Sequence, residues 1–173
     1  MYQRILVPYD GSATSSRGLD EAIRLANLTG ASVRLLHMVD ALLFATGFET
    51  ATAYVGEIIP FMRQAGESIL QEGKARVENA GVKVDTVLVD SVAVRLFEAV
   101  NDQVAAWNAD LIVIGTHGRR GVGRLLLGSD AEQIVRTAPV PVLLVRATEA
   151  SATVPAKASD AVSGVTDKNA VAA

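Results

Sequence analysis

The chain of 173 residues has no cysteine and two histidines, and its aromatic residues are one tryptophan, three tyrosines and four phenylalanines. Without thiols there are no disulfides, thiolate nucleophiles or zinc–sulfur sites. His37 and His117 stand alone and form no metal-ligand spacing, and no serine–histidine–acid order accompanies a nucleophile elbow. Trp107 and the scattered phenylalanines are too few for a base-stacking platform. No run approaches the roughly 18 apolar residues of a spanning helix, and the opening MYQRILVPYD lacks the apolar centre of a signal peptide. The expectation is a cytoplasmic protein that engages no membrane. Sixteen Lys and Arg against nineteen Asp and Glu leave a formal charge of −3. That balance disfavours nucleic acid and anionic lipid as partners, since both attract basic surfaces.

What is present is ordinary globular material, half hydrophobic and one fifth charged. Arg4 to Pro8 is a short apolar strand, Gly11-Ser12 a turn, and Leu19, Ala22, Ile23 and Ala26 recur at helical spacing up to Gly30. Ser32 to Val39 is a second strand, and Ala41 to Gly56 an irregular connection that could form a flap. A helix is predicted from about Ile58 to Ala80, with Ile69 and Val77 facing inward and Gly81 ending it. Val82 to Val89 is the third strand, and Val92, Leu96, Ala99, Val100 and Trp107 mark the third helix. Leu111 to Gly115 is the fourth strand, Ser129 to Ala138 the fourth helix and Val140 to Val145 the last strand. This alternation predicts an α/β fold, a doubly wound parallel sheet of five strands with right-handed crossovers and helices on both faces. Residues 1–146 form a single domain in this reading, and Ala147 to Ala173, rich in Ala, Ser, Thr, Val and Asp without apolar period, a disordered tail. Pro139 and Pro141 point to a sheet edge for the last strand, and so apolar an edge invites pairing with a second copy.

The densest chemical signal is GTHGRRGVGRLLLGS, from Gly115 to Ser129, directly after the apolar run Leu111 to Ile114. Strand, glycine-rich loop and helix follow in the order that presents backbone N–H groups and a helix N-terminus to an anion. Gly118 and Gly128 let backbone approach a phosphate, and glycine tolerates the positive φ that gathers successive N–H groups. Ser129 has two roles open to it. It can cap the helix, with Glu132 completing a capping box, or its hydroxyl and the following amides can bind phosphate. Arg119, Arg120 and Arg124 could hold a triphosphate electrostatically. Asp130 opposes them: at about 4 Å from a phosphate it costs on the order of 1 kcal/mol if water-screened and about 4 if partly buried. It could instead recruit a divalent cation between carboxylate and phosphate.

Asp10 follows the first strand and should reach the crevice where connections diverge, either to accept hydrogen bonds from a ribose or base or simply to build the turn. Val39 ends the second strand, where its backbone could meet an adenine edge. His37 reads as a core or interface histidine, and His117, in the loop, as a candidate phosphate or ribose contact.

Gly115, two residues, Gly118, nine residues and Gly128-Ser129, with VPYDGS near the start and APVPVLLVR at the end, resemble the universal stress protein family of the adenine-nucleotide-binding type. The likeness runs from Met1 to about Arg146. It implies the strand order 3-2-1-4-5, a homodimer through the last strand, and an ATP site, where the divalent cation that Asp130 could recruit would be Mg²⁺ or Mn²⁺. In that site Pro8 and Asp10 would line the ribose and adenine region and Val39 would contact the base. Gly115, Thr116, His117, Gly118 and Arg119, with Gly128, Ser129, Asp130 and Ala131, would hold ribose and phosphates. Two positions depart from the family pattern: Asp130, where a small apolar residue is common, and the turn Asp90-Ser91-Val92-Ala93, often Gly-x-Pro-Ala. The implied function is a dimeric, ATP-binding regulator or scaffold of the stress response. Alternatives from other classes are a slow ATPase or nucleotide-processing enzyme, and an interaction module that has lost its nucleotide.

Overall fold

Strand β4 (Leu111–Gly115) has every residue buried. A strand apolar on both sides must be covered twice, and the rest of the architecture supplies the covers. A computed structural model describes residues 1–39, 51–90, 94–116 and 128–146. In it β1 (Arg4–Pro8), α1 (Ala13–Thr29), β2 (Ser32–Val39), α2 (Ala51–Asn79), β3 (Val84–Asp90), α3 (Leu96–Trp107), β4, α4 (Ser129–Thr137) and β5 (Val142–Val145) follow one another. The five strands pair in parallel in the order β3-β2-β1-β4-β5, as the resemblance implies.

Side-chain alternation divides the core into two layers. Ile5, Val7, Val33, Leu35, Leu111 and Val113 meet Leu19, Ala22 and Ala26 of α1 and Leu70 and Val77 of α2. Leu6, Leu36, Ile112 and Ile114 face the other way, onto Val100 and Val104 of α3 and Ala131 and Ile134 of α4. The first two crossovers thus lie on one face and the last two on the opposite face. The chain reverses direction across the sheet between β1 and β4.

Local signals set most boundaries. The Ser12 hydroxyl accepts from the Ser15 N–H at 3.2 Å and opens α1, and Gly30, at φ 75°, closes it with its N–H on the Ala26 carbonyl. Three expectations are corrected. Helix α2 begins at Ala51, well before Ile58, and runs through Pro60. Proline removes one backbone donor, and in a helix of 29 residues the remaining ladder bonds carry the chain past it. Strand β3 starts at Val84 because Gly81 turns at φ 75° and Val82 still donates back to the Val77 carbonyl. Strand β5 starts at Val142, since Pro141 has no N–H for the next rung, although its carbonyl accepts from Ile112 at 3.0 Å. The connection after Val39 up to residue 50, Ser91 to Ala93 of the departing turn, and Ala147 to Ala173 lie outside the described residues.

At the amino-terminal edge of the sheet Arg34 is held by three residues. Its guanidinium makes two 2.7 Å hydrogen bonds to Asp85, reaches Gln103 at 3.1 Å and lies 4.6 Å above the Trp107 ring. The cluster joins β2, β3 and α3. The bidentate pair alone is half solvent-exposed on the Asp85 side, which limits its strength, whereas the arginine also stacks and packs. Arg34→Ala should therefore cost about 2 kcal/mol and Asp85→Ala about 1 kcal/mol of unfolding free energy. Urea denaturation of the two variants checks the order, and equal losses would mean that the ion pair carries the whole effect.

Candidate functional site

Reversal of the crossovers opens a crevice between β1 and β4 at the carboxyl edge of the sheet. The two strands are laddered at Ile5↔Leu111 and Leu6↔Ile112, whereas β1 stays paired with β2 through Pro8↔Leu36. Beyond these rungs come the segments singled out from sequence. Pro8 is buried at the end of β1, and Tyr9 is buried behind it. Asp10 is half-buried and does build the turn: its Oδ1 accepts from the Ser12 N–H at 2.9 Å, across Gly11 at φ 76°. Val39 is buried at the end of β2, three residues past the partner of Pro8 and so on the same edge.

Across the crevice, Gly115 and Thr116 end β4. A Cβ on Gly115 would lie 2.9 Å from the Thr14 carbonyl carbon and oxygen, so glycine is required by the close approach of α1. Thr116 is buried and pins two elements: its N–H donates to the Val145 carbonyl and its own carbonyl accepts from Gly128, both at 2.9 Å. One backbone hydrogen bond thus joins the end of β4 to the start of α4. His117, Gly118 and Arg119, with Arg120 and Arg124, lie outside the described residues.

The start of α4 corrects two expectations. Gly128 is the N-cap, and Ser129 is the first helical residue, so the capping box of Ser129 with Glu132 does not form. The first helical bond is Glu132 N–H to the Gly128 carbonyl at 2.9 Å, and the Glu132 carboxylate lies 3.6 Å from Arg136 instead. Gly128 itself has φ −60°, which any residue adopts, so positive φ is not its reason for being glycine. The consequence for an anion is favourable. The amides of Ser129, Asp130 and Ala131 have no acceptor within the helix, and the helix dipole adds its positive end. Asp130 is exposed, so the water-screened repulsion of about 1 kcal/mol is the relevant one.

The structure thus brings Pro8, Asp10, Val39, Gly115, Thr116, Gly128, Ser129, Asp130 and Ala131 to one edge. Sequence reading missed Thr14 and Tyr9, which shape that edge through packing. A threonine two residues after the helix-capping serine carries no pattern by itself.

A doubly wound α/β domain with a crossover crevice and a helix N-terminus at its rim is the class defined by these features. The family model described as the universal stress protein family matches residues 1–146. A universal stress protein of Methanocaldococcus jannaschii is 33% identical over 148 residues, covering 84% of this chain and 83% of that one. One from Thermus aquaticus is 34% identical over 151 residues, covering 84% of this chain and all of its own. Among solved structures, hypothetical protein MJ0577 superposes with a TM-score of 0.73 at 25% identity, over 86% of this chain and 98% of its own. Two further likenesses in fold are a universal stress protein in complex with cAMP (TM-score 0.59, 24% identity, 84% and 97% covered) and one from Archaeoglobus fulgidus in complex with dAMP (0.57, 19%, 84% and 98%). The chain belongs to the universal stress protein family.

Closing the space behind Gly115 tests this geometry. Gly115→Ala must push Thr14 backbone away from β4 and should lower stability by about 1–3 kcal/mol. Denaturant midpoints check it, and a variant as stable as the parent would show that α1 and β4 are not in such close approach.

Proposed function

We propose that this protein binds ATP in the crevice between β1 and β4 and acts as a cytoplasmic, dimeric regulator or scaffold in a stress response, with little or no hydrolysis. The observation that carries the reading is the placement, on one sheet edge, of the Asp10 turn, the end of β2 at Val39 and the three helix-opening amides of α4. Asp10 and Pro8 would hold ribose and adenine, Val39 would meet the base, and Ser129, Asp130 and Ala131 would donate N–H groups to phosphate. His117, Gly118 and Arg119 would contribute to holding ribose and phosphates, as the family resemblance implies. Relatives of the same fold bound to cAMP and to dAMP support an adenine nucleotide as the ligand class. Mg²⁺ or Mn²⁺ would arrive with the triphosphate. The reading assigns no catalytic residue.

Dimerisation through β5 rests on its place at the sheet edge and on Leu144, 37% exposed there. An apolar edge of this kind is stabilised by pairing with a copy of itself. Sedimentation equilibrium giving a monomer would remove this part. Among the described residues no helix is long and apolar enough to cross a membrane. The domain of residues 1–146 followed by a tail belongs to the same proposal.

Free ATP at 100 times its Kd should add about 2.7 kcal/mol of stability. For a chain of this length that raises Tm by roughly 5–10 °C. No shift at millimolar ATP with Mg²⁺ sinks the nucleotide reading. In the same assay Asp130→Val should tighten ATP binding by no more than about fivefold, the equivalent of a screened repulsion near 1 kcal/mol. A much larger change would place the carboxylate in a dry site against the phosphates.

A further inference from the structure

Resting on the nucleotide reading and deepening it, we propose that His37 is a positioning residue of that site, its ring donating from Nδ1 to the Tyr9 carbonyl and so setting the peptide that carries Asp10. The ladder between β1 and β2 reaches its end with Tyr9 N–H on the Leu36 carbonyl at 2.8 Å. The next acceptor along the chain, the Tyr9 carbonyl, lies 2.8 Å from His37 Nδ1. A carbonyl oxygen only accepts, so Nδ1 carries the hydrogen. In a planar trans peptide the C=O and the following N–H point in opposite directions. With the Tyr9 carbonyl held toward β2, the Asp10 N–H is aimed across the crevice toward β4. The Asp10 carboxylate then passes the setting on to the first turn of α1 through its 2.9 Å bond from Ser12 N–H.

The surroundings of the ring argue that its chemistry is used. His37 is 7% exposed and Tyr9 3% exposed. Helix α2 lies directly on both: a Cβ at Gly66 would fall 2.8 Å from His37 Cδ2, and one at Gly73 would fall 2.8 Å from Tyr9 Cε1. Glycine is the poorest helix former after proline, so α2 gives up propensity at the two positions that touch this pair. An aliphatic side chain of similar volume would fill the same space without a polar group to satisfy. The imidazole instead brings a donor to the one carbonyl that precedes Asp10. Because Asp10 serves the nucleoside end of the proposed ligand, the effect of His37 should fall on adenosine recognition and not on the phosphates.

The test measures Kd for AMP and for ATP in the wild type, His37→Leu and His37→Asn. Leucine removes the donor, while the asparagine amide places an N–H near the position of Nδ1. His37→Leu should weaken AMP and ATP by the same factor, about tenfold, and His37→Asn should restore most of it. The double variant with Asp10→Ala should bind no more weakly than Asp10→Ala alone, since one residue acts through the other. Wild-type affinity in His37→Leu, a loss that asparagine does not restore, or additive losses in the double variant would each overturn the proposal. Nitrogen-15 spectra of the histidine rings in the wild type test it without any variant. A hydrogen on Nδ1 of His37 at neutral pH is expected, and a ring protonated only at Nε2 overturns it. A wild type that binds neither nucleotide removes the nucleotide reading itself, whereas binding with a bare Nδ1 removes this inference alone.

Discussion

The fold depends on burying β4 from both sides. Its five residues alternate between the layer of Leu19 and Leu70 and the layer of Val100 and Ile134, and none reaches solvent. A parallel strand in that position needs helices on each face, and right-handed crossovers can provide them only if the chain changes direction across the sheet. The change falls between β1 and β4. A crevice at their carboxyl ends is its geometric by-product, and the candidate site occupies that crevice.

Around the crevice, close packing and open backbone groups are set side by side. Gly115 admits the Thr14 backbone, and Gly66 and Gly73 admit His37 and Tyr9 beneath α2. The rim is built from backbone: the Asp10 turn, the end of β2 and the opening amides of α4. A site of this construction recognises shape and hydrogen-bonding edges and brings little charge of its own among the described residues. Its affinity then depends on how rigidly those backbone groups are held, which makes the contacts behind the rim as consequential as those on it.

Much of this was legible in the sequence. The apolar runs Arg4 to Pro8, Ser32 to Val39 and Leu111 to Gly115 predict β1, β2 and β4 to the residue, because uninterrupted apolar segments bounded by turns leave few alternatives. The start of α2 was not legible: Ala41 to Gly56 reads as one irregular connection, since its Phe44, Gly47, Phe48 and Tyr54 keep no helical apolar period, yet the helix already begins at Ala51. Ser129 reads as a cap by pattern, yet the helix opens one residue earlier, since a Ser-x-x-Glu spacing does not decide between the cap and the first turn. His37 reads as core from its apolar neighbours. Its hydrogen bond to Tyr9, 28 positions away in the chain, comes from strand pairing and has no local signature.

The central claim is that ligand recognition belongs to the carboxyl edge between β1 and β4. Amide chemical-shift mapping during an ATP titration tests it most directly. The account predicts the largest changes at Asp10, Val39, Gly115, Ser129, Asp130 and Ala131, with Arg4, Lys83 and Trp107 at the opposite edge unmoved. Changes concentrated at Arg4, Lys83 and Trp107 would contradict it.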